Sequence, residues 1–201
     1  QPVSFTKLES LKAIVSDRVK RLIDYQSEEY AEKYRSRVED VLGKLEGKDV
    51  RDQLGKTFAK NLFKVMAYKD EYEVARMHSE PAFLQKVREA FDGNFSLKFN
   101  LAPPLISSLD ENGHLRKREF GSWVQGVFKV LAKLKRVRGT AFDIFGYTEE
   151  RRLERRLILD YIDLANEAVS ALNEKNYEIV KKLIGLPEEV KGFGHVKLAA
   201  I

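Results

Sequence analysis

The stretch Ala67-Tyr68-Lys69-Asp70-Glu71-Tyr72-Glu73-Val74-Ala75-Arg76 lies inside the longest helical pattern of this sequence, which runs from Asp49 to Ser79. Tyr68 and Tyr72 are four residues apart, so on one continuous helix they would share a face. A helix face that contacts only water can be built from Glu and Lys alone. Phenols placed among charged side chains suit a half-buried polar interface.

Charged side chains in the same stretch repeat the helical spacing. Lys69 and Glu73 are four residues apart, and Glu73 and Arg76 are three apart. Opposite charges at these offsets support a helix. We therefore predict that this stretch contacts another part of this domain or of a parent protein. The alternative is an ordinary amphipathic helix with paired surface charges. The candidate interface residues are Tyr68, Lys69, Asp70, Tyr72, Glu73 and Arg76.

Apolar residues recur with a helical period along most of the chain, and Gly and Pro are scarce. The sequence therefore predicts a mainly α fold of about seven helices in a single domain, 1–201. Ser27, followed by two glutamates, predicts an N-cap, and Pro81 predicts the first turn of a helix. The predicted helices cover 4–26, 27–45, 49–79, 83–91, 122–137, 148–172 and 173–184.

The region 95–121 departs from the helical period. Apolar and polar residues alternate from Phe95 to Leu101, which predicts a strand. Asn112-Gly113 favours a tight turn, after which 114–120 could return as a hairpin partner. We predict a small β excursion here, as a hairpin or an ordered loop.

Several classes of chemistry are excluded by composition. The chain has no cysteine, which excludes thiolate-bound zinc and a cysteine-bound iron–sulfur cluster within this piece. It has neither a GxxxxGK[ST] phosphate loop nor the Gly-Asp-Gly and paired-Asn signature of thiamine diphosphate sites. No apolar run approaches the length of a membrane span, and no signal-peptide pattern is present. We predict no catalytic residue, no metal site, no cofactor in this segment, and a cytoplasmic location without a membrane partner.

The three histidines do not form a metal-binding pattern. His78, His114 and His195 are far apart, and none has a second histidine at ligand spacing. His195 follows Gly192-Phe193-Gly194, whose glycines allow a close approach of the backbone to another surface. We add His195 to the interface candidates. The alternative is a histidine that makes an ordinary structural hydrogen bond.

Positive charge is concentrated in the second half of the chain. The net charge is +5, and the stretch from Arg116 to Arg156 carries more than that excess. Such a surface attracts anionic partners, although charge runs are more often solvated helix faces. We do not expect nucleic acid as a partner, because aromatic residues are not interleaved with these cations. The candidate basic residues are Lys129, Lys133, Arg136, Arg152 and Arg156.

Four later stretches, taken in order with the first one, carry a family resemblance. They are Phe99-Asn100-Leu101-Ala102-Pro103-Pro104, Lys117-Arg118-Glu119-Phe120-Gly121, Leu134 to Thr140 with Phe145 to Arg152, and Gly192 to Lys197. The chain, from about Leu11 onward, resembles the C-terminal accessory domain of indolepyruvate ferredoxin oxidoreductase-like proteins.

The resemblance implies a function that composition and periodicity do not reach. The family oxidatively decarboxylates aryl 2-oxoacids to acyl-coenzyme A and reduces ferredoxin. The resemblance implies thiamine diphosphate and iron–sulfur clusters in the parent enzyme, and a structural or interaction role for this domain. Its partners would be other domains or subunits of that enzyme, with ferredoxin or coenzyme A as further candidates.

Two readings of the whole chain remain. The start at Gln1-Pro2, without Met, leads us to expect a fragment of a larger multidomain enzyme. As a segment without cofactor motifs, it is expected to be inactive when isolated. The alternative is a free-standing basic helical adaptor that binds nucleic acid or an acidic protein.

Overall fold

The helical period of the sequence is realised as a mainly α structure. The computed structural model describes residues 10–91, 93, 96–101, 116 and 118–190. This part of the chain contains eight α-helices and one two-stranded antiparallel sheet, which confirms the predicted fold class. The elements are α1 (Leu11–Tyr25), α2 (Glu28–Gly43), α3 (Lys48–Met66), α4 (Glu71–Ser79), α5 (Pro81–Ala90), β1 (Phe99–Leu101), β2 (Arg118–Phe120), α6 (Val124–Lys133), α7 (Glu149–Ser170) and α8 (Tyr177–Gly185), with 3-10 segments at Leu134–Val137 and Leu186–Glu188.

The chain forms two compact units. Unit 1 consists of Gln1–Tyr68 and Arg152–Ile201, and unit 2 consists of Lys69–Arg151. Unit 1 is therefore built from two separate stretches of sequence, with unit 2 between them. A single domain stays a prediction, because two compact units can belong to one domain.

Unit 1 is a helical assembly around a continuous apolar core. Its core side chains come from α1, α2, α3, α8 and the unit 1 part of α7. Ser10 and Ser27 begin α1 and α2, because each hydroxyl accepts a hydrogen bond from the backbone N–H three residues later. The Ser27 cap confirms the predicted start of α2. The largest fully buried apolar side chains are Ile14, Leu22, Tyr34, Val38, Val41, Leu54, Phe58, Leu62 and Ile184.

Buried tyrosines connect the helices of unit 1 through their hydroxyl groups. The Tyr34 hydroxyl donates to the carbonyl oxygen of Ala59 at 3.0 Å. The Tyr161 hydroxyl donates to the carbonyl oxygen of Ile184 at 2.8 Å. A buried phenol supplies a large apolar area and must place its hydroxyl on a partner, so these bonds fix how the helices align.

Three helices approach closely at Gly55, which lies in the middle of α3. A Cβ at this position would be 2.6 Å from Leu42 Cδ2 of α2 and 3.1 Å from Leu11 Cδ2 of α1. Gly55 therefore has a packing role that outweighs its weak helix propensity. By contrast, a Cβ at Gly43 would meet nothing within 4 Å.

Unit 2 contains the β hairpin and a second, smaller core. Phe99 pairs with Phe120 and Leu101 pairs with Arg118 in the two strands. The two strands thus lie at the C-terminal ends of the predicted strand, 95–101, and of its predicted hairpin partner, 114–120. The predicted tight turn at Asn112-Gly113 lies outside the described residues. The buried members of the core are Ala75, Phe99, Val124 and Phe128.

Two of the predicted helices are broken or change type within their predicted bounds. The predicted helix 49–79 is divided, since α3 ends at Met66 and α4 begins at Glu71. The cause is Asp70, whose side chain caps α4 instead of continuing a helix. The predicted helix 122–137 is α-helical only to Lys133 and then tightens into a 3-10 segment. Ser122 is not the N-cap residue of α6. That position is occupied by Trp123, which makes no side-chain capping hydrogen bond.

Within the part of the chain that the structure describes, no helix is both long enough and apolar enough to cross a bilayer.

We expect Gly55→Val to lower the free energy of unfolding by about 1–3 kcal/mol, because the added methyl groups overlap the side chains of α1 and α2. Chemical denaturation monitored by circular dichroism measures the change. Gly43→Val is the matched control in the same unit and should change stability by less than about 0.5 kcal/mol. Equal effects of the two substitutions would contradict close packing at Gly55.

Candidate functional site

Asp70 occupies the break between α3 and α4 and performs two tasks there. Its Oδ1 accepts a hydrogen bond of 2.9 Å from the backbone N–H of Glu73, which makes it the N-cap of α4. A carboxylate is favoured at this position because the first N–H groups of a helix lack partners and carry positive potential. The residue is only 2% exposed, so its charge also needs a partner inside the protein.

Arg138 provides that partner. Its Nη2 donates to Asp70 Oδ1 at 2.8 Å and its Nε donates to Asp70 Oδ2, so the pair is bidentate. Both side chains are almost fully buried. The guanidinium also lies over the ring of Tyr72, with 5.6 Å between Cζ and the ring centroid. Arg138 thus links the start of α4 to the segment that follows α6.

Asp143 organises the turn after Arg138. One oxygen, Oδ2, accepts from the backbone N–H of Gly139 at 2.7 Å. The other, Oδ1, accepts from the N–H of Gly146 at 3.0 Å and from the Tyr72 hydroxyl at 3.1 Å. Gly139 has φ of 75°, a left-handed conformation that favours glycine. One buried carboxylate therefore closes the turn 139–146 and holds it against α4.

Tyr72 connects these two acidic residues. Burial, followed by the neighbouring Asp143 carboxylate, raises the pKa of the Tyr72 phenol well above its ordinary value. The phenol therefore keeps its proton and remains a hydrogen-bond donor to Asp143. The ring of Phe145 packs edge to face on Tyr72, with centroids 5.4 Å apart. We name the set Asp70, Tyr72, Arg138, Asp143 and Phe145 the polar cluster.

A second ionic contact lies beside the polar cluster. Arg151 Nε is 3.5 Å from Glu71 Oε2. Burial raises the pKa of Glu71, while the positive charge of Arg151 acts in the opposite direction. This contact joins the first residue of α4 to the beginning of α7, within unit 2.

The geometry of the polar cluster suits a structural role better than a chemical one. Each carboxylate oxygen of Asp70 and Asp143 accepts at least one hydrogen bond from a protein donor. Buried polar networks of this kind fix one arrangement of the chain when every member is satisfied. Among the residues that the structure describes, no three His, Asp or Glu side chains form a group that could hold a metal ion.

The predicted interface residues have separate positions. Tyr68 belongs to unit 1, where the Tyr25 hydroxyl donates to its carbonyl oxygen at 2.9 Å. Tyr72 belongs to unit 2. The prediction that the two tyrosines share one helix face is therefore wrong, because the helix is interrupted at Asp70. The break also removes the helical relation of Lys69, which is exposed, to Glu73.

The remaining interface candidates have different outcomes. Glu73 and Arg76 form the predicted ion pair, with 2.7 Å between Oε1 and Nη2. His195 lies outside the described residues. Sequence reasoning did not select Arg138, Asp143 or Phe145 as site residues. Asp143 had a signal, because an aspartate between two glycines is typical of turns in which the carboxylate accepts backbone hydrogen bonds.

The five candidate basic residues are all exposed but belong to different units. Lys129, Lys133 and Arg136 lie in unit 2, on α6 and the 3-10 segment after it. Arg152 and Arg156 lie in unit 1. Four aromatic side chains of unit 2 are also exposed, namely Phe91, Trp123, Phe142 and Tyr147.

His78 is surrounded by rings at the end of α4. Its ring stacks on Phe128 at 5.6 Å and meets Phe83 and Phe99 edge to face. Among the described residues, its buried Nδ1 has no hydrogen-bond partner. Burial, and to a lesser extent the charge of Lys69, lowers the pKa of the His78 imidazole. The folded protein thus favours neutral His78.

Comparison with known proteins places the chain in a family without assigning an activity. Residues 11–201 match the family described as "Family of unknown function (DUF6537)", and the chain belongs to that family. No curated protein matches the chain significantly. No solved structure does so either.

We expect Arg138→Gln to lower the free energy of unfolding by about 3–5 kcal/mol, because it leaves the buried Asp70 charge without its partner. Arg136→Gln is the control, since Arg136 is exposed two residues earlier, and it should cost less than about 0.5 kcal/mol. Denaturant titration of both variants measures the difference. A cost for Arg138→Gln no larger than that of the control would show that the polar cluster does not stabilise unit 2.

The lowered pKa of His78 predicts a loss of stability in acid. The unfolded chain binds a proton near the ordinary histidine pKa of about 6.5, whereas the folded chain binds it only at lower pH. Stability is therefore complete above that pKa and falls as pH decreases toward the folded value. In His78→Phe, the unfolding free energy measured from about pH 7 to pH 5 should fall less than in the parent chain. Parallel curves for the two proteins would contradict this.

Proposed function

We propose that this chain is a non-catalytic structural and interaction domain of an indolepyruvate ferredoxin oxidoreductase-like enzyme. In this proposal, other parts of the enzyme bind thiamine diphosphate and the iron–sulfur clusters and oxidise the aryl 2-oxoacid. The domain would contact other domains or subunits of that enzyme in the cytoplasm. The proposal rests on the family resemblance of five stretches and on the contacts that residues of the four described stretches make in unit 2.

The observation that supports the proposal is that residues of the described stretches contact one another. The first contributes Asp70 and Tyr72 to the polar cluster. The stretch after α6 contributes Arg138, and the next contributes Phe145. The remaining described ones face each other, since Phe99 pairs with Phe120. Residues that carry the resemblance thus make internal contacts, as expected of a framework that positions a surface.

The exposed basic side chains indicate which class of partner this domain would bind, namely an anionic one. A protein partner such as ferredoxin would be met through several charges at the rim, which mainly raise the association rate. Coenzyme A would depend on one or two cations that hold a phosphate. Ferredoxin is the first of these candidates because several exposed cations are spread along α6 and the segment after it.

A second candidate function is the free-standing basic adaptor, with nucleic acid as the partner. The observation that favours it is the exposure of Trp123, Phe142 and Tyr147 in the same unit as three exposed cations. Bases stack on exposed aromatic rings, and phosphate contacts make such binding strongly dependent on salt. Titration of labelled single-stranded DNA and RNA at two salt concentrations distinguishes this function from the first.

We expect the isolated chain to give no reduction of a dye acceptor when it is incubated with thiamine diphosphate, an aryl 2-oxoacid and coenzyme A. The reason is that the sequence contains neither cysteine nor a thiamine diphosphate motif. The positive control is the enzyme expressed from the complete reading frame that contains this segment.

The same full-length enzyme tests the interaction role. Deletion of residues 11–190 from it should impair assembly, measured by sedimentation velocity. Turnover by the isolated chain would refute the non-catalytic role. Normal assembly and turnover after the deletion would refute the interaction role, and a reading frame without any oxidoreductase segment would refute the parent enzyme.

A further inference from the structure

A row of apolar side chains along α6 is left exposed by the part of the chain that the structure describes. Trp123, Val127, Val130 and Leu134 are 66, 42, 58 and 44% exposed. Trp123 is the N-cap residue of α6, and Leu134 is the first residue of the 3-10 segment that continues it. The spacing of four, three and four residues places the four side chains along one side of a helix at about 100° per residue. We name these four residues the α6 seam. Its narrow 4-3-4 spacing is that of helices that pack along each other.

The core of unit 2 uses a different side of α6. Val124 and Phe128 are buried with Ala75 and Phe99, and Leu131 packs against them. On the helical wheel, Val124, Phe128 and Leu131 lie about 100° away from the centre of the α6 seam. Helix α6 is therefore apolar on two sides, and a helix that only covers one core needs a single apolar side.

Positive charge lies along the edge of the α6 seam that faces away from this core. Lys129 and Lys133 are exposed on α6, and Arg136 is exposed in the 3-10 segment that continues it. Gly126 lies between the seam and the two lysines on the wheel. A Cβ at Gly126 would meet nothing within 4 Å, so a second backbone can approach this side of the helix closely.

We propose that the α6 seam docks an amphipathic helix of a partner polypeptide, with acidic side chains along one edge of its apolar stripe. The 4-3-4 spacing matches the stripe of such a helix, and the acidic edge meets Lys129, Lys133 and Arg136. Docking buries the four exposed apolar side chains, and the charges set the orientation of the partner. This inference rests on the interaction role proposed above and specifies the chemistry of the partner.

A second copy of this chain is a poorer occupant. Two α6 helices that pack antiparallel along their seams bring like edges together. The lysines of one copy would then face the lysines of the other, and like charges in an interface are unfavourable. An acidic edge removes that conflict.

Trp123 makes the inference directly measurable. It is the only tryptophan in the chain and a member of the α6 seam, so its emission should shift to shorter wavelength when a partner covers it. The probe is a synthetic helical peptide with leucines at 4-3-4 spacing and glutamates along one edge. The control probe has lysines in place of those glutamates. The complete 201-residue chain should bind the acidic peptide about tenfold more tightly than the basic one, since two or three exposed ion pairs distinguish them.

Variants identify the surface that is responsible. Lys129→Glu with Lys133→Glu should reverse the preference between the two peptides. Lys181→Glu with Lys182→Glu is the matched control, because these lysines are exposed on α8 in unit 1, and it should leave the preference unchanged. Val127→Ser with Val130→Ser should weaken the binding of both peptides. All six substitutions are at exposed positions, and circular dichroism verifies that each variant is folded.

Four results would overturn the inference. They are no shift with the acidic peptide, equal affinity for the two peptides, a shift with anionic phospholipid vesicles but not with peptide, and self-association that Val127→Ser with Val130→Ser abolishes. Failure of this test leaves the proposed function standing, because that function is decided separately by the assembly of the full-length enzyme. Failure of the enzyme assay, with selective peptide binding retained, would identify a docking domain of a different protein.

Discussion

Removing the Asp70 carboxylate and the Arg138 guanidinium from water costs several kcal/mol for each charge, and only close, bidentate pairing offsets that cost. This constraint determines the local course of the chain on both sides of the pair. Asp70 begins α4 after α3 has ended at Met66, and Arg138 leaves the helical path of α6 with φ of −51° and ψ of 125°. The turn that follows is then closed by Asp143, which holds Tyr72 from the opposite side.

The helices of the chain could be predicted because their determinants are local. Ser27 caps α2 with its own side chain, and Pro81 begins α5 where a proline is tolerated. The division of the region 49–79 could not be predicted in this way. Asp70 becomes a cap because it pairs with a residue 68 positions later, and a periodicity argument compares only near neighbours.

The sequence predicted two members of the polar cluster, Asp70 and Tyr72, but for a reason that differs from their role in the structure. The phenols among charges predicted a half-buried polar interface, whereas Asp70 and Tyr72 are almost fully buried. The partner surface, however, lies within unit 2 and includes Arg138, which looked like one more cation in a basic stretch. Composition gives the sum of the charges in such a stretch. It does not separate the exposed Arg136 from the buried Arg138, because that difference depends on the path of the chain.

The discontinuous composition of unit 1 has a consequence for the order in which the protein can fold on the ribosome. Helices α1 to α3 are synthesised early, but Tyr161 and Ile184, which complete their core, come only after the whole of unit 2. At translation rates of roughly 5–20 residues per second, the apolar faces of the early helices wait on the order of ten seconds for their partners. Unit 2 is continuous in sequence and can form its buried ion pair during this interval. The nascent protein therefore carries an unfinished core next to a finished one, which is the stage at which chaperone binding would matter most.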